Sequence, residues 1–282
     1  MRWLVVGANG MLGQDLVSVL GERGHDVTGV DRSQLDVTEP DEARAAVVGF
    51  DVVVNCAAWT AVDDAETQEG AAFAVNATGA QNLAVGARAA GARLVQISTD
   101  YVFAGDATEP YAEDAPLAPR SAYGRTKGAG EWAVRASTDD YLVVRTAWLY
   151  GAQGGCFPKT MVGLLEGRDS LTVVDDQVGQ PTWTVDLADL VVRLVEAGAP
   201  SGTYHGTSSG QASWFEFARA AVAAAGHAPE VIQPTTSAAF VRPAPRPAYS
   251  VLGHAALLAA GVEPIGEWSE RWSVAAPTVL AP

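Results

Sequence analysis

The chain has 282 residues, 48% of them hydrophobic and 18% charged, with a formal net charge of −15 and two cysteines. That is ample apolar material for a sizeable core in one large or two intimate domains. The acidity argues against nucleic acid or an anionic membrane as a partner, and apolar runs of strand length are too short to span a bilayer.

The opening, MRWLVVGANG, enters a buried strand almost at once. It leaves no room for a signal peptide, so the expected compartment is the cytoplasm. Cys56 and Cys156 are then expected as two unrelated reduced thiols. His25, His205, His227 and His254 are scattered without a second ligand at metal spacing, so no metal site is expected from them.

In chain order, RWLVVG reads as a strand, MLGQDLVSVLGERG as a helix by the spacing of Leu12, Leu16, Val17 and Leu20, and HDVTGVD and FDVVVNCA as two more strands. Residues 68–90 form an alanine-rich helical stretch, ARLVQIST a buried strand, SAYGRTKGAGEWAVRAS a helix despite its glycines, and YLVVRTAWLYG a strand. Strands rich in Val, Leu and Ile alternating with helices predict an α/β fold, a doubly wound parallel sheet covered on both faces. Beyond residue 150 the rhythm loosens, with helices returning at TVDLADLVVRLVEAG and SWFEFARAAVAAAG, and RPAPRP excluded from regular structure. The division expected is a nucleotide-binding unit of residues 1–150 plus about 185–200, and a smaller interleaved substrate unit of about 151–184 and 201–282.

Gly7, Gly10 and Gly13 lie three residues apart between the first strand and the first helix, with Met11 and Leu12 at the helix start. Glycine there permits a tight turn and lets backbone approach a pyrophosphate held at the helix N-terminus. Asp31 ends the second strand and can accept from ribose hydroxyls, favouring NAD; Arg32 beside it can meet the 2′-phosphate of NADP. The two point to different coenzymes, so NADPH and NADH both stay open. Asp36 and Val37 are placed to flank an adenine ring, or simply to turn the chain before a helix.

Tyr123 and Lys127 stand at i and i+4, on one face of a helix. A free tyrosine has a pKa near 10, and lowering it by about three units takes about 4 kcal/mol. One cation about 4 Å away at an effective dielectric of about 20 supplies about that much. The spacing therefore predicts that Lys127 makes Tyr123 more acidic. Thr99, at the end of a strand, offers a hydroxyl to a substrate carbonyl.

The glycine triplet, NCAAWTAVDDAE, STDYVFAG, YGRTK, RTAWLYG, DDQVGQPTW, GTYHGTSSG with SWFEFA, and RPAYSVL together resemble the extended short-chain dehydrogenase/reductase family, and within it the dTDP-4-dehydrorhamnose reductases. The likeness runs from residue 1 to about 252. It implies a Rossmann-type fold, catalytic roles for Thr99, Tyr123 and Lys127, coenzyme contacts by Ala57, Ala58 and Thr60, and sugar contacts by Tyr101 and Trp148. It also implies NAD(P)H-dependent reduction of a dTDP-4-keto-6-deoxy sugar by a monomer or homodimer. Trp59 departs from the family's usual histidine. Some members hold magnesium between subunits; the matching position is Asp15, without placeable partners, so Mg2+ stays doubtful and no metal ligand is assigned.

Arg246, in RPAYSVL, is the candidate for the substrate's diphosphate, against the plain alternative of an exposed basic residue. Asn76 is expected to hold a backbone kink or a water near the lysine, against the plain alternative of a helix-facing polar residue. Trp132, Trp214 and Trp272 are expected in the core or an interface. Two other functions fit the scaffold. A dehydratase or epimerase is disfavoured because Tyr101 stands where an elimination acid is needed, and a coenzyme-binding regulatory subunit is disfavoured by the intact catalytic set.

Overall fold

The computed structural model describes residues 1–281. In it the predicted strands become β1 (Arg2–Val6), β2 (Asp26–Val30), β3 (Val52–Asn55), β4 (Arg93–Thr99) and β5 (Tyr141–Thr146). With the strand Gly202–His205 they form one six-stranded sheet in the order Gly202–His205, β5, β4, β3, β1, β2. Every pairing is parallel. The α/β, doubly wound arrangement expected from the sequence is borne out.

Period-two alternation explains how one sheet feeds two cores. Trp3, Val5, Val52, Val54 and Val95 face the helices Met11–Glu22 and Thr184–Glu196, whose Leu12, Leu16, Leu20, Leu187, Leu190 and Leu194 close that side. Leu4, Val6, Val53 and Leu94 face the other way, onto Ala43 of helix Pro40–Ala46, Leu83 and Ala84 of helix Ala80–Ala90 and Val134 of helix Ala122–Ser137. Because β1 has β2 on one side and β3 on the other, a crevice opens at the carboxyl ends of β1 and β3.

The stretch predicted as one helix over residues 68–90 contains a π-helical turn, Ala74–Gly79, between helices Glu69–Phe73 and Ala80–Ala90. Asn76 lies in that turn, and its carboxamide accepts from the Trp59 amide at 2.8 Å and donates to the Trp59 carbonyl at 3.2 Å and the Thr126 hydroxyl at 3.0 Å. The predicted kink is thus a π-turn that spends its side chain on the β3 loop and on helix Ala122–Ser137. The glycines of that helix have partners as well. A Cβ on Gly124 would sit 2.2 Å from the Tyr101 carbonyl oxygen, and one on Gly130 2.2 Å from that of Asn76. They let the helix lie against backbone.

The remaining elements are short. Leu171–Val174 pairs in parallel with Ile232–Thr235, and Val178–Gly179 antiparallel with Ala212–Ser213. Helix Trp214–Ala224 starts with a capping box between Ser213 and Glu216. The strand Gly202–His205, expected in the smaller unit, lies in the large sheet beside β5. Residues 242–247, RPAPRP, hold no helix or strand. Among the described residues no helix is long and apolar enough to cross a membrane.

Candidate active site

A cleft of about 480 Å³ runs along the carboxyl ends of β1, β2 and β3. Of the residues expected to hold a coenzyme, Gly7, Gly10, Asp31, Arg32, Asp36, Val37, Ala57 and Ala58 line it. Gly7 has φ +82, and a Cβ there would be 2.8 Å from the Ala57 amide, so only glycine lets the β1 and β3 loops meet. Gly13 packs the helix onto the turn, since its Cβ would lie 2.3 Å from the Gly7 carbonyl oxygen. Leu12 is buried in the core, and Met11 turns toward Gly151. Both side chains leave the cleft, and what the two residues offer a ligand is the backbone N–H groups of the first helical turn. Thr60 is exposed and outside the lining.

Asp31 accepts from the Ser33 amide at 2.8 Å and hydroxyl at 2.6 Å, and from the Asn9 side chain. The Ser33 bonds hold its carboxyl below the usual range, so an anion faces the cleft beside the Arg32 guanidinium. Asp36 likewise accepts from Thr38, at 2.9 Å from the amide and 2.7 Å from the hydroxyl. Sequence reasoning missed Asn9, Ser33, Leu35, Cys56 and Val75 as lining residues. Asn9 lay within the glycine turn and could have been found there; Val75 comes from the π-turn, which has no periodicity signal.

Thr99 ends β4 and Tyr123 opens the first turn of helix Ala122–Ser137, whose N-cap Ser121 accepts from the Gly124 amide at 3.1 Å. The Thr99 hydroxyl donates to Asp100 at 2.9 Å and accepts from the Tyr101 amide at 3.3 Å. Lys127 is buried, and its Nζ donates to the Ile97 carbonyl at 2.6 Å. Here the electrostatic expectation fails. Burial pushes the Tyr123 phenol up to about 12; a hydrogen bond to Thr99 opposes the rise and the Asp100 charge adds to it. Lys127 does not acidify it. Burial instead brings the Lys127 ammonium down to about 8, with Glu131 and Cys56 working against that fall. The Coulomb argument counted the cation and left out desolvation, which dominates for both groups.

Tyr101 meets Tyr123 edge-on, ring centroids 5.6 Å apart. With Arg120 and Arg246 it lines a second hollow of about 140 Å³. Arg246 is not a free surface cation: its Nη2 lies 2.9 Å from Asp63 Oδ2, in the segment after β3. Arg120 carried no sequence signal, standing alone in a loop. Trp148 has φ +47, an uncommon backbone state for a bulky residue. Its ring stacks on Trp214 at 3.6 Å between centroids, and Gly179 leaves room for its edge. One face expected for a sugar is therefore taken by another indole. Trp272 is core, whereas Trp132 is 62% exposed, which removes the core reading for it.

Asp15 is buried beside Thr184, and burial raises its carboxyl above the usual range against a hydrogen bond from that hydroxyl. Among the described residues no three His, Cys, Asp or Glu side chains converge as a metal site. A single carboxyl whose charged form burial disfavours does not fit magnesium within a single chain. Cys56 and Cys156 are free.

The RmlD substrate binding domain family model matches residues 1–278. A dTDP-4-dehydrorhamnose reductase of Streptomyces griseus is 50% identical over 274 residues, covering 95% of this chain and 90% of the relative. A probable dTDP-4,6-dihydroxy-2-methyloxan-3-one 4-ketoreductase of Streptomyces antibioticus is 49% identical, over 100% of this chain and 96% of its own. The solved dTDP-4-dehydrorhamnose reductase of Bacillus anthracis, in complex with NADP, superposes with a TM-score of 0.93 at 38% identity, covering 97% of this chain and 98% of that one. The resemblance drawn from the motifs is borne out.

Proposed function

The chain belongs to the RmlD substrate binding domain family, and on that premise we propose that it reduces the C4 ketone of a dTDP-4-keto-6-deoxy sugar with NADPH or NADH. The leading case is dTDP-4-dehydro-L-rhamnose to dTDP-L-rhamnose. What carries the reading is a half-buried phenol and a buried ammonium one helical turn apart, beside a dinucleotide-sized cleft and next to a strand-end hydroxyl. The relatives named above as 4-ketoreductase and 4-dehydrorhamnose reductase support it.

The glycine turn, Asp31, Arg32 and the Ala57–Ala58 backbone fit a dinucleotide, which when bound supplies the hydride that reduces C4. The chain's own part is to hold the ketone and deliver a proton. Thr99 offers its hydroxyl to the ketone oxygen, where charge develops. Tyr123, neutral well above physiological pH, keeps the proton that oxygen must receive. Lys127 is an ammonium below about pH 8, held by the Ile97 carbonyl one helical turn from that phenol. Arg246 and Arg120 face the hollow beyond Tyr101 and would take the diphosphate, with Trp148 and Trp214 bordering the sugar. In this reading residues 1–150 with 185–200 bind the coenzyme and the rest the sugar, in a cytoplasmic monomer or homodimer.

The near-equal identity to the S. antibioticus ketoreductase favours a second substrate on the same chemistry, another dTDP-4-keto deoxysugar. The test is incubation with dTDP-4-keto-6-deoxy sugars before and after 3,5-epimerisation, with NADH and NADPH in separate runs. Coenzyme oxidation with one sugar form is expected. No oxidation with any of them would contradict the proposal.

A further inference from the structure

Under the tyrosine–lysine pair lies a charged cluster that the reaction scheme does not use. Glu131 is on the same helix one turn beyond Lys127, and is fully buried. Its Oε1 accepts from the Ser98 hydroxyl at 2.6 Å and from Arg145 Nε at 2.9 Å. Its Oε2 accepts from Arg145 Nη2 at 2.8 Å and Arg135 Nη2 at 3.2 Å. One carboxylate so ties the helix to β4 through Ser98 and to β5 through Arg145. Arg135 extends the tie to the edge strand by donating to the Thr203 hydroxyl at 2.8 Å. Ser98 follows Ile97, whose carbonyl receives Lys127. Carboxylate and ammonium therefore grip adjacent residues of β4.

A buried ion pair is weak evidence of stability, because desolvation can exceed the Coulomb gain. The charges facing the lysine say more. From β4 comes the Ile97 carbonyl, from the end of β3 the Cys56 thiol, and from its own helix Tyr123 and Glu131. Burial keeps Cys56 a neutral thiol, pushed up to about 12, and does the same for the Tyr123 phenol. Asp100 acts on Tyr123 rather than on Lys127. Behind Glu131 stand Arg145, Arg135 and His205, whose ring is 3.3 Å from Arg145 and is held neutral by burial. Glu131 is thus the carboxylate that acts on Lys127.

We infer that Glu131 is a positioning residue for the proton-delivery pair: its charge keeps Lys127 an ammonium ion, and its hydrogen bonds fix the end of β4 against the helix. The inference rests on the reading of Lys127 as the partner of Tyr123. The chain has two lysines, Lys127 and Lys159, so labelling lysine with 13C at Cε gives two side-chain signals, one of them an internal reference. Glu131→Gln keeps the shape and removes the charge. Lys127 is then expected to titrate about one pH unit lower, a tenfold change in its charged-to-neutral ratio at a given pH, with Lys159 unmoved and the alkaline limb of kcat/KM following Lys127. Arg135→Gln removes a partner that is a third exposed, so it is the gentler variant should the first not fold. It leaves more of the Glu131 charge uncompensated and is expected to move Lys127 upward. An unmoved Lys127 in folded Glu131→Gln, or an unmoved or lowered one in Arg135→Gln, overturns the inference. Should Lys127 shift as expected while the kinetic limb stays put, Glu131 keeps its hold and the part assigned to Lys127 in the reaction is what fails.

Discussion

Tyr123 and Lys127 could be paired from their spacing alone, because a helix puts i and i+4 on one face whatever surrounds it. Their ionisation could not, because it depends on what buries them. The Ile97 carbonyl that takes the ammonium lies 30 residues away, and nothing in YGRTK announces it. The outcome suits a reductase, in which the phenol must be protonated and the lysine charged. Lys127 sits below its ordinary value, so its charge is present at neutral pH and lost as pH rises through about 8. If that charge serves the reaction, kcat/KM for the keto sugar falls up to about tenfold per unit above that point. A profile flat from about pH 7 to about pH 10, followed with saturating NADPH, would contradict it.

Among the elements, the strands were readable because apolar runs buried on both faces have no other use. The glycines of helix Ala122–Ser137 looked like a defect in a helical pattern, and their reason lies in contacts from Tyr101 and Asn76 that no local window contains. This sets a paired prediction. Gly130→Ala drives a methyl into the Asn76 carbonyl and should destabilise the protein by about 1–3 kcal/mol, with a loss of turnover as the helix shifts. Gly128→Ala meets its nearest neighbour, Leu117, at 3.6 Å, ordinary contact. It should instead stabilise by about 0.5–1 kcal/mol, the helix propensity difference. Urea unfolding of both variants checks the pair, and equal losses would show that backbone approach at Gly130 is not what requires glycine. The π-turn at Ala74–Gly79 escaped notice for a related reason, since an alanine-rich run reads the same with or without one extra residue per turn.

Across the whole molecule the acidity that argues against nucleic acid also sets the binding problem, since a chain of net charge −15 must hold two anionic ligands. In the proposed reading the helix N-terminus serves one and the arginines of the second hollow serve the other. Segment 242–250 reaches back to the first half of the sequence: Arg246 bonds Asp63 after β3, and Ser250 bonds Asp100 after β4. Arg246→Ala should therefore raise KM for the nucleotide sugar about tenfold, the loss of a charge-assisted bond, and leave NADPH affinity unchanged. An unchanged KM would return Arg246 to a purely structural tie. This long-range stitching, like the entry of Gly202–His205 into the sheet, could not be read from the sequence, because the motifs RPAYSVL and GTYHGTSSG carry no periodicity that says what they pack against. The most direct measurement is a single turnover with NADPH deuterated at the transferring position and dTDP-4-dehydrorhamnose, run on the natural chain and on Tyr123→Phe. Deuterium at C4 of the sugar is predicted, with the variant slower by about 10²–10⁴-fold. Transfer at an undiminished rate without the phenol, or deuterium absent from C4, would contradict the account.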